Sequence, residues 1–236
     1  MDKNFDLALN LLESEHSHED LINYLKCGTL VERHYAALHL SQLCDKPEAL
    51  IFISNLIEQD GKVREAVSFK FKEFLTQNRH IDLFKTPKTY EILSKSVIDI
   101  NSNVCRNILE VLPKLSTDEE FIKIFPEKIE NIIRETFDEI EKITFRDKKY
   151  KLNKQLFKLY WCLESMYILH KCFRKDFLKE TILHSAKLQE YTIREKCAQL
   201  LTLNFDDREL SELKKEFESD ENFYVRNLSL AAQNHY

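Results

Sequence analysis

The chain has 236 residues and a net charge of −5, from 40 Asp and Glu against 35 Lys and Arg. Only 2 Gly and 4 Pro are present, so turns that need positive φ must be few, which excludes a hairpin-rich β protein and points to an all-α fold. The acidic balance argues against whole-surface attraction to nucleic acid or anionic membrane, and no apolar run reaches the ~18 residues of a membrane span.

In chain order, apolar spacing predicts helices over 4–14, 19–27, 30–44, 47–58, 62–77, 88–98 and 102–114. A second series follows over 126–143, 148–172, 176–188, 191–203, 207–218 and 222–234, with short turns at 79–84 and 119–124. The opening MDKNFDLALNLLESEH is acidic from its second residue and does not read as a secretory leader. Helix starts are punctuated. Asp45 precedes Pro47, Thr86 precedes Pro87, and Thr117-Asp-Glu-Glu120 and Asp206-Asp-Arg-Glu209 read as capping boxes. Pro126 is expected to open a helix, while Gly28 and Asp60-Gly61 mark breaks. Ile129, Ile132, Ile133, Phe137, Ile140 and Ile143 form one apolar stripe, with acids mainly off it.

One phrase recurs. Val31-Glu-Arg33, Val63-Arg64, Val104-Cys-Arg106, Ile193-Arg194 and Val225-Arg226 begin at intervals of 32, 41, 89 and 32 residues. Asp99-Ile-Asn101-Ser-Asn-Val104 repeats the spacing of Asp220-Glu-Asn222-Phe-Tyr-Val225. Such periodicity marks stacked helical hairpins, each covering the apolar face its neighbour leaves open. These residues resemble HEAT repeats, a family of two-helix units whose second helix commonly begins with an acid followed by Val-Arg. The resemblance implies a single domain over 1–236, an α-solenoid of about six stacked antiparallel helix pairs. The pair at 126–172 departs from it: its helices are long and it has no Val-Arg phrase, although Leu152 could supply an anchor.

Candidate chemistry is sparse. Histidines 16, 18, 34 and 39 gather near Cys27 and Cys44, but His34 and His39 are five apart on a helix and diverge, so no metal site is expected. The cysteines at 27, 44, 105, 162, 172 and 197 form no C-x-x-C pair and read as reduced, structural thiols of a cytoplasmic protein. No nucleophile elbow or phosphate-cradling loop is present, so neither an enzyme nor a cofactor is expected.

The strongest local charge feature is FRDKKYKLNKQLFKLYW, residues 145–161, where Lys148, Lys151, Lys154 and Lys158 make one cationic helix stripe interleaved with aromatics. It either binds an anion such as a nucleic-acid backbone or is neutralised by the acids of 126–143. Among HEAT-like proteins, the alkylpurine DNA glycosylases use a cationic concave groove with tryptophans and a carboxylate. This chain has Trp161 alone and no Trp-Asp phrase, so no catalytic residue carries over.

The leading expectation is a non-enzymatic scaffold that binds another protein or a peptide segment along the second helices. Arg64, Lys70, Arg106, Lys151, Lys158, Arg194 and Arg226 are its candidate anchors; no membrane partner is expected. The alternative places nucleic acid on Lys148, Lys151, Lys154 and Lys158. The repeat arginines have a purely structural reading as well, as rungs tying one helix pair to acids of the next.

Overall fold

A computed structural model describes residues 3–143, 149–203 and 205–231. The described residues are all-α, and they divide into two compact units, residues 1–125 and 126–236. No helix among them is long and apolar enough to cross a membrane.

The first unit contains α1 (Lys3–Glu13), α2 (His18–Cys27), α3 (Leu30–His39), α4 (Lys46–Ser54), α5 (Gly61–Thr76), α6 (Pro87–Ser96) and α7 (Ser102–Val111). Helices α2, α4 and α6 pack in one row, and α1, α3, α5 and α7 in another; α2 against α3, α4 against α5 and α6 against α7 join the rows. Its core is aromatic: Phe52, Phe71, Phe74 and Phe84 are fully buried, with Phe71 and Phe84 edge to face at 4.8 Å. Burying each such ring stabilises the unit by roughly 1.5–3 kcal/mol.

Beyond α8 (Glu119–Lys142), the second unit holds α9 (Lys149–Ile168), α10 (Lys175–Ser185), α11 (Tyr191–Leu201), α12 (Arg208–Phe217) and α13 (Phe223–Ala231). Helix α11 packs on both α9 and α13, and α10 on α12. Side chains of α8 reach α10, where Phe137 stacks on His184 at 4.0 Å and Arg134 lies over Phe177 at 5.3 Å.

Start signals act largely as the sequence predicts. Asp45 and Thr86 each accept the backbone N–H three residues on, at 2.9 and 3.2 Å. The two predicted capping boxes shift by one residue: Asp207, not Asp206, caps α12 by accepting the Leu210 amide at 3.2 Å, and Asp118, not Thr117, precedes α8. Gly28 ends α2 without a positive φ; a Cβ there would meet the Tyr24 carbonyl at 2.6 Å, so close approach is what requires glycine. Positive φ falls instead on Glu58, Asn78 and His80 among the described residues.

Two boundaries differ most from expectation. Helix α3 stops at His39, five residues early, because Leu40 turns out of the helix and both Leu40 and Leu43 enter the core. Helix α8 starts at Glu119 and carries Pro126 inside it, where a turn and a new start were expected. Asp118 caps it by accepting from the amides of Glu120 and Phe121 at 3.0 and 3.1 Å. Interior proline costs a helix about 3 kcal/mol; full burial of Phe121 and Phe125, stacked at 4.9 Å, offsets it.

Candidate functional site

The recurring arginines resolve into one local geometry. In α3, α5, α11 and α13 the fourth helical residue is Arg33, Arg64, Arg194 or Arg226, whose amide donates to the residue before the helix at 2.9, 3.0, 3.3 and 3.2 Å. Each side chain also bonds a carbonyl of the turn leading into its helix: Gly28, Gln59, Gln189 and Asp220 respectively. Three reach onward to the following turn of their unit. Arg33 donates to buried Asn55 at 2.9 Å. Arg64 grips Asp99 through Nε and Nη2 at 2.6 and 3.0 Å, and Arg194 grips Asp220 at 2.8 and 3.1 Å.

The Asp-x-Asn phrase follows from this. Asp99 and Asp220 accept the amides of Asn101 and Asn222, both at 2.7 Å, while those asparagines accept the second helical amide, both at 2.9 Å. The aspartates therefore receive arginine, and the asparagines do the capping that the sequence suggested for the acid. The Arg194 guanidinium holds the Asp220 carboxyl below its ordinary range.

Counting from the caps moves one predicted residue. In α7 the fourth position is Cys105, whose thiol donates to the Asp99 carbonyl at 3.1 Å, where Arg226 meets the Asp220 carbonyl. Arg106 is one residue later, exposed, and bonded to Asn103 at 2.8 Å.

That shift puts Arg106 in a groove of about 500 Å³ across α3, α5 and α7. Each helix contributes one face at helical spacing: His34 and Leu38; Lys62, Glu65, Ala66, Phe69 and Lys72; Asn103, Arg106, Asn107 and Glu110. Phe69 lies nearly opposite the core stripe of Val63, Val67, Phe71 and Phe74 and is 55% exposed, with Leu38 40% exposed. Glu65 accepts from Asn101 and Asn103 at 2.9 and 2.7 Å, which hold its carboxyl low. Lys72 pairs with Glu110 at 2.6 Å. Lys62 and Arg106 have no ion pair with a described residue, and burial pushes the His34 imidazole toward its neutral form. The groove therefore combines exposed Phe69 and Leu38 with three cations, Lys62, Lys72 and Arg106, and two carboxylates, Glu65 and Glu110.

Other predicted anchors lie elsewhere. Lys70 is on the core side of α5, paired with Glu73 at 2.9 Å, and its Nζ is 6.0 Å from the Phe74 ring centroid. Arg64 and Arg194 have side chains only 16% and 10% exposed and are committed to their aspartates. Lys148 lies outside the described residues. On α9, Lys151 and Lys154 are exposed and Lys158 is half-buried. The α8 acids with described ion pairs use Arg174, Lys142 and His184, at 3.2, 3.1 and 3.8 Å. Phe69, Leu38 and Lys62 were not singled out by sequence; the available signal was an aromatic placed off the apolar stripe of its helix.

No family model matches the sequence, and no curated protein matches it. Among solved structures, the crystal structure of an engineered protein is similar, with a TM-score of 0.49 and 12% identity over 92% of this chain and 95% of that one.

Proposed function

We propose that the chain is a HEAT-like α-solenoid that acts as a non-enzymatic binding scaffold in the cytoplasm, and that it takes a segment of another protein in the α3–α5–α7 groove. The exposed Phe69 at the centre of a polar-rimmed groove carries this reading. Large apolar side chains are normally buried, and an aromatic beside an arginine is the usual composition of a binding hot spot. The arginine links from one helix pair to the next support the solenoid, and they preorganise the groove, which lowers the ordering cost of binding. Lys62 and Arg106 favour a segment with acids flanking its apolar anchor.

Affinity capture from cell extract, with and without nuclease, tests this. The wild-type chain should retain a nuclease-resistant protein that Phe69→Asp and Arg106→Glu both lose. Retention of nuclease-sensitive material only, or undiminished retention by Phe69→Asp, overturns it. A second reading places nucleic acid along Lys151, Lys154 and Lys158, which recur at helical spacing on α9 among aromatic residues. It predicts affinity that falls steeply with salt and a loss of binding in a Lys154→Glu, Lys158→Glu variant.

A further inference from the structure

His18, Cys44 and Glu48 stand on three separate elements of the first unit and converge. The His18 Nε2 lies 3.0 Å from both carboxylate oxygens of Glu48 and 3.6 Å from the Cys44 Sγ, and one ligand-type atom from each residue falls within 4.8 Å of the other two. Bonds of about 2.0–2.3 Å to a tetrahedral ion place neighbouring ligand atoms about 3.3–3.6 Å apart. The three atoms are therefore within about 1 Å of a shared coordination sphere.

Each is held by contacts that do not depend on an ion. His18 is the first residue of α2, fixed by the reciprocal Ser17–Asp20 cap. Glu48 sits in the first turn of α4, where its amide bonds Asp45 at 2.9 Å and its Oε2 accepts the Cys44 amide at 2.7 Å. Cys44 belongs to the link between α3 and α4, pinned by buried Leu40 and Leu43 and by Arg79, which donates to the Ser41 carbonyl. Cys44 is an exposed residue, and the His18 and Glu48 side chains are 31% and 20% exposed, so an ion can enter without unfolding.

We propose that His18 Nε2, Cys44 Sγ and a Glu48 carboxylate oxygen bind a divalent transition-metal ion of the zinc class. Imidazole, thiolate and carboxylate together form a borderline donor set that suits zinc and disfavours calcium or magnesium, which prefer oxygen alone. Thiolate and carboxylate supply two negative charges against the dication's two positive, so the bound site is electrically neutral. Binding transfers the Cys44 thiol proton to solvent, and His18 coordinates as the tautomer that carries its proton on Nδ1 and leaves the Nε2 lone pair for the ion. A water molecule completes the fourth position on the exposed side.

The test uses the untagged, reduced, metal-free full chain titrated with Co²⁺ as a spectroscopic stand-in, followed by displacement with Zn²⁺. One equivalent should produce a thiolate-to-cobalt charge-transfer band that Zn²⁺ abolishes. The band should persist in Cys27→Ala, the control at the other exposed cysteine, and vanish in Cys44→Ala, Cys44→Ser and His18→Ala. Glu48→Gln keeps an oxygen for the Cys44 amide and should bind Zn²⁺ more weakly by about tenfold or more, since losses of outer partners alone cost about 10–100-fold. Circular dichroism identifies variants that retain their helices, and Cys44→Ser is the gentler change should Cys44→Ala lose them. No band at one equivalent, a band that survives Cys44→Ser, or one lost in Cys27→Ala overturns the assignment.

Discussion

Replacing Arg194 by Met keeps the aliphatic stem but removes the guanidinium that links α11 to the turn before α13. The Arg194 and Asp220 side chains are 10% and 9% exposed, and the guanidinium also bonds the Gln189 carbonyl at 2.6 Å. Without it, Asp220 keeps the Asn222 amide at 2.7 Å and the nearby Arg226 charge but loses the guanidinium that grips its carboxylate in a nearly dry site. Removing one member of a buried pair costs about 3–5 kcal/mol, and the retained amide and residual exposure place this case near the lower end, about 3 kcal/mol. Trp161, 7% exposed and the sole tryptophan, lies in the second unit, so its fluorescence during urea unfolding reports on that unit. The midpoint should fall by at least about 1 M. Arg174→Ala, whose partner pairs are with Glu130 and Asp176 and whose side chain is 59% exposed, should leave the midpoint nearly unchanged. In an Asp220→Asn background the Arg194→Met penalty should shrink, because no carboxylate remains to be stranded. A loss below about 1 kcal/mol, or one indistinguishable from Arg174→Ala, would refute the structural role of the clamp.

Acid should act on the same pair. The Asp220 carboxyl is held below its ordinary value of 3.8, so its stabilisation is present above that value and is lost as pH falls through the lower folded value. Urea midpoints of the second unit should therefore drop below about pH 4 in the wild type and drop less in Arg194→Met. Gly28→Ala should destabilise the first unit by about 1–3 kcal/mol in thermal unfolding followed by circular dichroism, since its Cβ would collide with the Tyr24 carbonyl. Glu58→Gly should raise the melting temperature slightly, a gain of about 0.5–1 kcal/mol, because exposed Glu58 holds φ at 57°. A lower melting temperature for that variant would show that the Glu58 side chain contributes more than its backbone costs.

Much of this organisation is legible in the sequence because it rests on local rules. Cap residues, proline positions and apolar spacing locate the helices, and the Val-Arg phrase marks the helix starts that share one arginine geometry. Local rules also set the limits. Pro126 reads as a start signal, but burial of Phe121 and Phe125 outweighs its cost and continues α8 through it. Aligning on Val-Arg puts Arg106 among the repeat arginines, whereas Asn101 as cap gives that place to Cys105. Ser17-x-x-Asp20 and Thr29-x-x-Glu32 carry the capping-box pattern along the chain and form reciprocal caps in the structure. The groove and the His18–Cys44–Glu48 cluster are different in kind. They join residues from elements whose juxtaposition is set by packing, and no spacing along the chain announces them.

The groove is tested most directly by placing a photocrosslinking phenylalanine analogue at position 69 and, as a control, at exposed Tyr150 in the second unit. Irradiation in cells should join position 69 to one discrete protein in a nuclease-resistant adduct, abolished by Arg106→Glu and absent from position 150. Crosslinks that appear at 150 and not at 69, or a 69 adduct unaffected by Arg106→Glu, would contradict the assignment of the α3–α5–α7 groove as the binding surface.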